Sequence, residues 1–305
     1  MKTIHTVDGP FRPEELGFTL THEHLLCAPP KNIAIKDTDL ELNSIEKAIQ
    51  ELRLFKKVGG DCLVEGSTID YTRNAKALKY ISKKSGIKII CTTGFLKNVY
   101  YPEWVYNTKK EELAKLFIKE INYGIEGSEV KAGILKCGSS YNYISTEEKK
   151  VTQAIAIAHL ETGAPIFIHT EIGTMALEQL DILEENGVNL NKAYVGHLDR
   201  NPDFWYHKKI ADRGAYVGYD GIGKVKYFTD SIRIDLIERM VNSGYINNLL
   251  VSLDMGRKSY FKSYNGGPGL DHILNHFIPR LIEEGFSEAQ IKKIWIDNPA
   301  ELLAF

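Results

Sequence analysis

The chain reads as one (β/α)8 barrel of the α/β class, and three observations predict it. Short apolar runs rich in Val, Ile and Leu occur eight times. Each is followed by a longer run with apolar residues at helical spacing. No Pro-, Gly- or Ser-rich linker breaks the alternation across residues 1–305. Strands apolar on both faces of their alternation belong to a parallel sheet covered by helices. A closed barrel takes typically about 250 residues plus insertions, so this length suits a single barrel better than two domains or an open sheet.

The predicted strands are 17–21, 61–65, 87–93, 132–136, 165–169, 193–197, 215–219 and 249–254. A helix over 40–58 ends at Gly59-Gly60, and one over 74–84 ends at Gly86. The helix at 109–125 places Leu113, Leu116, Phe117 and Ile121 on one face. At 146–161, Ser145 supplies an N-cap and Glu147 and Glu148 an acidic first turn. Helices follow at 174–185, 202–212, 230–242 and 270–284, and a last one over 287–297 stops before Pro299. The stretch 260–269, with Gly266-Gly267-Pro268-Gly269, is a long loop that a barrel places over its active-site mouth.

Composition excludes several classes of function. A formal net charge of -2 supplies no basic field for nucleic acid and no polybasic membrane patch. No apolar run approaches the ~20 residues of a membrane span. Met1-Lys2-Thr3-Ile4-His5 lacks the apolar core of a signal peptide. The four cysteines, Cys27, Cys62, Cys91 and Cys137, form no CxxC pair and read as reduced core residues of a cytoplasmic protein.

Chemistry gathers at the strand ends. The first strand runs into Thr21-His22-Glu23-His24, and two histidines at i and i+2 on an extended segment point the same way and can chelate one ion. The fourth strand ends in Lys136, the fifth in His169, the sixth in His197 and the eighth in Asp254. Taken singly, these are a salt-bridged lysine, satisfied core histidines and a capping aspartate. Together they lie at the C-terminal ends of five strands, where barrel enzymes place their chemistry. Four imidazoles and a carboxylate converging there make a poor cluster without a cation.

Through these residues the chain resembles the phosphotriesterase family of the amidohydrolase superfamily. The resemblance runs from Gly17 to Leu302, through Thr21-His22-Glu23-His24, Ala132-Gly133-Ile134-Leu135-Lys136, Ile168-His169-Thr170, Gly196-His197-Leu198-Asp199-Arg200 and Leu253-Asp254. It implies two divalent metal ions, zinc first and Mn, Co or Fe as alternatives. His22, His24 and Asp254 would bind the more buried ion, and His169 and His197 the more exposed one. Lys136 would carry a CO2-derived carbamate bridging both. A metal-bridging hydroxide would attack the substrate, with Asp254 as its proton acceptor. Glu23, between the first two histidines, is expected to point away and to hydrogen-bond locally. Phe95, Tyr100 and Tyr101 are candidates for the pocket wall.

One departure stands out. Phosphotriesterases proper follow the seventh-strand aspartate with a histidine, and here the run is Tyr219-Asp220-Gly221. Asp220 is expected to cap or brace its loop. After Asp254 come Met255-Gly256-Arg257-Lys258-Ser259-Tyr260, and Lys224 follows the seventh strand. Cations beside the metals suit a phosphate or carboxylate, which Arg can bind bidentately. The loop resembles that of the phospho-furanose lactonase and phosphotriesterase homology protein branch. That implies a phosphorylated sugar 1,4-lactone as substrate, with Lys224, Arg257 and Tyr260 holding the 5-phosphate, and a homodimer. The rivals are a phosphotriesterase or acyl-homoserine lactonase of the same family, a barrel nuclease, and a non-catalytic metal-binding barrel. Gly221 and the cationic loop oppose the first. Lys136, standing where such nucleases carry a glutamate, opposes the second. The complete ligand set opposes the third.

Overall fold

A computed structural model describes residues 2–305. Its strands are β1 (Ile4–Thr6), β2 (Gly9–Phe11), β3 (Thr19–Glu23), β4 (Cys62–Glu65), β5 (Lys88–Gly94), β6 (Ala132–Ser139), β7 (Ile166–Thr170), β8 (Ala193–Val195), β9 (Tyr216–Tyr219) and β10 (Leu249–Val251). From β3 to β10 they form one sheet in chain order, every neighbouring pair parallel. The two ends of the sheet meet, so the barrel is nearly closed. Asp254 N donates to the His22 carbonyl at 3.0 Å. Glu23 completes the seam: its carboxylate accepts from Ser252 Oγ (2.7 Å), Leu253 N (2.8 Å) and Met255 N (2.9 Å). The sequence led us to expect local partners for Glu23; instead they follow the last strand of the sheet, which closes against β3.

The barrel interior is filled by Val64, Ile90, Ile134, Phe167, Tyr194, Tyr216 and Leu250, one from each of seven strands. Ile4, Leu16, Leu302 and Leu303 close it from below. This lower plug joins the chain ends, for Thr3 and Phe305 exchange backbone hydrogen bonds at 3.0 and 3.1 Å. The β1–β2 hairpin went unpredicted because strands of three residues are too short to show a period. A second, larger apolar layer lies between the strands and the surrounding helices.

Most helices lie close to the predicted spans: Ile45–Lys57, Ala75–Ser85, Lys110–Asn122, Thr146–Thr162, Ala176–Glu185, Phe204–Asp212 and Asp230–Asn242. Ser145 forms a full capping box with Glu148. The last two helices differ. The first begins with a π turn, Ile273–Phe277, and continues as Ile278–Glu283. The second does not stop before Pro299: Glu288–Lys292 passes through a π turn, Lys293–Asp297, into Asn298–Leu303. Pro279 and Pro299 each stand in the first turn after a π turn, where the missing N–H forfeits least and the wider turn admits the ring.

All four cysteines are free and buried, as expected. Burial pushes the Cys62 and Cys137 thiols up to about 12, which leaves them unreactive. Among the described residues, no helix is long and apolar enough to cross a membrane.

Candidate metal centre and substrate cavity

The C-terminal ends of the strands open on a cavity of about 270 Å³. His22, His24, Lys136, His169, His197 and Asp254 line it, as do Lys224, Arg257 and Tyr260. Every site residue predicted from the sequence thus reaches one cavity. Tyr100 joins them, while Phe95 and Tyr101 are buried away from it.

The predicted ligand set sits on an aromatic floor. The Phe167 ring stacks on Tyr194 with centroids 4.7 Å apart. The His22 ring meets Phe167 edge-on at 4.4 Å, and Lys136 Nζ stands 4.2 Å above the same ring. Water is thereby excluded from beneath the site. Burial pushes the Lys136 amine down to about 8, against the opposing pull of Asp254 and Asp220. Burial likewise drives His22 well below its usual range and His169 to about 3, so both rings are neutral and can offer lone pairs.

Two of the predicted ligand residues, His197 and Asp254, were expected to end their strands but lie past them. β8 stops at Val195 and β10 at Val251. His197 and Asp254 then take left-handed backbone conformations, φ +64° and +50°. Such conformations are uncommon for non-glycine residues and cluster at functional sites. Here they turn both side chains toward the barrel axis.

The donor atoms converge in two groups. His22 Nε2 and His24 Nε2 lie 3.5 and 3.4 Å from Asp254 Oδ1. His197 Nε2 lies 2.9 Å from His169 Nδ1. Ligands at about 2.0–2.2 Å from a tetrahedral ion stand about 3.3–3.5 Å apart, which the first group matches. Lys136 Nζ, 3.5 Å from His22 Nε2, stands beside the first group and donates to the Gly66 carbonyl at 2.8 Å. Gly66 keeps the space open. A Cβ there would lie 2.8 Å from His22 Cδ2 and 3.2 Å from Lys136 Nζ. The residues present fit divalent metal.

Asp220 carries more than the loop-bracing role read from the sequence. It lies outside the cavity and fully buried beneath it. His22 Nδ1 donates to its Oδ2 (2.8 Å) and His197 Nδ1 to its Oδ1 (2.6 Å). An acceptor on each Nδ1 fixes the Nδ1–H tautomer and leaves each Nε2 lone pair facing the cavity. Burial opposes the charge, yet the two histidines hold Asp220 well below the usual carboxylate range.

The sequence also left Arg200 without a role, although it ends the run Gly196-His197-Leu198-Asp199-Arg200. Its Nη2 donates to Asp254 Oδ2 at 2.5 Å, and Lys224 Nζ donates to the same oxygen at 2.8 Å. Oδ1 thereby faces the histidines while Oδ2 is held by two cations. Arg257 is paired with Asp37 at 2.7 Å. Lys224 Nζ stands 5.3 Å from the centre of the Tyr260 ring.

A family model described as the phosphotriesterase family matches residues 2–303. The chain belongs to the phosphotriesterase family. It is a metal-dependent hydrolase on a (β/α)8 barrel. It is 32% identical to a phospho-furanose lactonase of Mycoplasmopsis synoviae, over 100% of this chain and 92% of that one. It is also 32% identical to an N-acetyltaurine hydrolase of Xenopus tropicalis, over 99% and 98%. The solved structure of a lactonase from Listeria monocytogenes superposes with a TM-score of 0.95 at 40% identity, covering 99% of this chain and 98% of that one.

Within the phosphotriesterase family, Gly221 is the departure noted above, and the packing accounts for it. A Cβ at Gly221 would lie 2.3 Å from Asp199 Oδ2 and 2.6 Å from Arg233 Nη2. A buried ion pair, Arg233 Nε to Asp199 Oδ2 at 2.6 Å, fills the space a side chain would need. Asp199 Oδ1 in turn accepts from Asp220 N at 3.1 Å. Arg233 Nη2 donates to the Lys224 carbonyl at 3.2 Å. The pair therefore braces both the carboxylate under the histidines and the segment that carries Lys224.

Proposed function

We propose that this hydrolase opens a phosphorylated furanose 1,4-lactone, releasing a phosphorylated sugar acid. The observation that carries the reading is the placement of Lys224, Arg257 and Tyr260 in one cavity with the metal-ligand set. His22, His24 and Asp254 would hold one divalent ion and His169 and His197 a second, with Lys136 as a carbamate shared between them. Imidazole and carboxylate donors suit zinc, and also Mn, Co or Fe. When bound, the ions supply an activated water and polarise the scissile carbonyl. The protein's own groups do the rest. Arg257, Lys224 and Tyr260 grip the phosphate and orient the ring. Asp254 accepts the proton of the attacking water and passes it to the ring oxygen as the ester opens. Arg200 and Lys224, both on Asp254 Oδ2, keep that carboxylate ionised until then.

The test is a panel of substrates offered to the metal-loaded protein. It includes aldonolactone phosphates, the same lactones without phosphate, a phosphotriester and an acyl-homoserine lactone. Charge-assisted hydrogen bonds contribute about 1.5–3 kcal/mol each, so phosphorylated lactones are expected to be preferred by at least about 100-fold in kcat/KM. Arg257→Ala should erase most of that preference through KM. Turnover confined to the triester or to unphosphorylated lactones would overturn the reading. A second reading comes from the Xenopus relative: an N-acyl amino sulfonate presents a carbonyl and a remote oxyanion to the same groups. N-acetyltaurine therefore belongs in the panel, and its selective turnover would replace the lactone.

The lysine carbamate has its own pH signature. Only the neutral amine attacks CO2, and the Lys136 amine is pushed down to about 8. At fixed dissolved CO2, the rate of carbamate formation in the metal-free protein should rise about tenfold per pH unit below 8 and level off above it. A 13C-labelled CO2 signal followed by NMR measures this. A rise that continues to pH 10 would mean an unshifted lysine.

A further inference from the structure

The chain between β3 and the helix Ile45–Lys57 leaves the barrel at Cys27 and returns at Leu42. There the two backbones exchange hydrogen bonds of 2.9 and 2.8 Å. The excursion between these residues reaches the cavity mouth, where Leu40 joins the lining. Its tip, residues 37–40, meets the loop after β10. Asp37 Oδ2 accepts from Arg257 Nη1 at 2.7 Å, and Asp39 Oδ2 from the same nitrogen at 3.4 Å. Asp39 also accepts from Ser259 N (2.8 Å) and Ser259 Oγ (2.6 Å). Lys258 Nζ donates to the Thr38 carbonyl at 3.0 Å.

Two carboxylates beside a subsite for an oxyanion act either as competitors for its cations or as a brace for them. The geometry favours the brace. Only Nη1 of Arg257 is engaged; Nε and Nη2 donate to no acceptor among the described residues. A guanidinium tied at one corner presents its opposite edge in a fixed direction, and that edge is the one that binds an oxyanion bidentately. Asp39 meanwhile grips Ser259, inside the same short turn as Tyr260, Lys258–Tyr260. Restraining that turn and that side chain in advance removes ordering cost from the binding step.

We infer that Asp37 and Asp39 are positioning residues that build the anion subsite, holding Arg257 and Tyr260 in the geometry that selects an anionic substrate. This rests on the reading that Arg257 and Tyr260 receive the anionic tail. Both aspartate side chains are about a third exposed, so their replacement leaves the core untouched.

The experiment uses the metal-loaded full chain as wild type, Arg257→Ala and the double variant Asp37→Asn/Asp39→Ala, with thermal melts to confirm folding. Inorganic phosphate is titrated calorimetrically into each, and kcat and KM are measured on a phosphorylated lactone and on its unphosphorylated counterpart. The double variant should bind phosphate about tenfold more weakly. It should raise KM for the phosphorylated lactone by a similar factor, with kcat held within twofold and the unphosphorylated lactone unaffected. If Arg257→Ala weakens phosphate binding and the double variant does not, or tightens it, the brace is wrong and the subsite reading survives. If Arg257→Ala leaves phosphate binding unchanged, or the wild type binds none, the subsite reading falls and the brace with it.

Discussion

Lys136→Ala is expected to lose the two-metal stoichiometry and roughly 10⁴-fold or more in kcat/KM, the scale seen when a member of a mutually dependent catalytic set is removed. The reason lies in where the amine sits. Lys136 is fully buried, above the Phe167 ring and 3.5 Å from His22 Nε2, with one backbone carbonyl in hydrogen-bond reach. Among the described residues, an ammonium there has no carboxylate within ion-pair distance, so burying it is costly despite the pull of Asp254 and Asp220. Conversion to a carbamate would replace that cation with an anion carrying two oxygens beside His22. Alanine would remove the proposed shared ligand and leave His22, His24 and Asp254 in place, so partial occupancy of the first group should persist. The folded state should not suffer, because the residue deleted is a buried amine with poor compensation. Metal analysis, steady-state kinetics and a melting curve together check this. Two ions per chain and near-normal turnover in the variant would remove the carbamate from the mechanism.

Asp220→Asn is expected to weaken metal binding 10- to 100-fold, the range typical for loss of a group that orients a ligand histidine. The substitution keeps shape and volume and changes only what the two oxygens offer. In the native chain both accept a proton-bearing Nδ1, from His22 at 2.8 Å and His197 at 2.6 Å. An amide has one acceptor and one donor. Whichever histidine meets the NH2 must carry its proton on Nε2 instead, and that nitrogen then has no lone pair for a metal. One of the two ion sites should therefore weaken more than the other. Equilibrium dialysis against a competing chelator would resolve two unequal affinities. If the variant holds both ions as tightly as the wild type, Asp220 is no more than a brace for its loop.

Much of this was legible in the chain itself. The eight apolar runs and the helices between them follow from local periodicity, and the spacing of His22 and His24 follows from the two-residue repeat of a strand. The ligand residues could be proposed because each stands at or just past the end of an apolar run, and barrels present those ends on one face. Other features had no local signal. Glu23 sits between two histidines, but its partners are near residue 253. Gly66 looks like any glycine after a strand until a Cβ is placed against His22 and Lys136. Arg200 and Arg233 read as ordinary basic residues, one in a loop and one in a helix. The helix through Pro299 was missed because a proline normally ends a helix, and only the preceding π turn accommodates it.

By itself the sequence determined the barrel and the types of residue at its mouth, because hydrophobic period and strand-end position are properties of neighbours in the chain. The tertiary structure decided which side chains meet: that one carboxylate, Asp220, serves two histidines 175 residues apart; that Asp254 faces imidazoles with one oxygen and cations with the other; and that Asp37 reaches Arg257. Those pairings depend on distances across the closed barrel, and a linear pattern carries no information about them until the strands close into a ring.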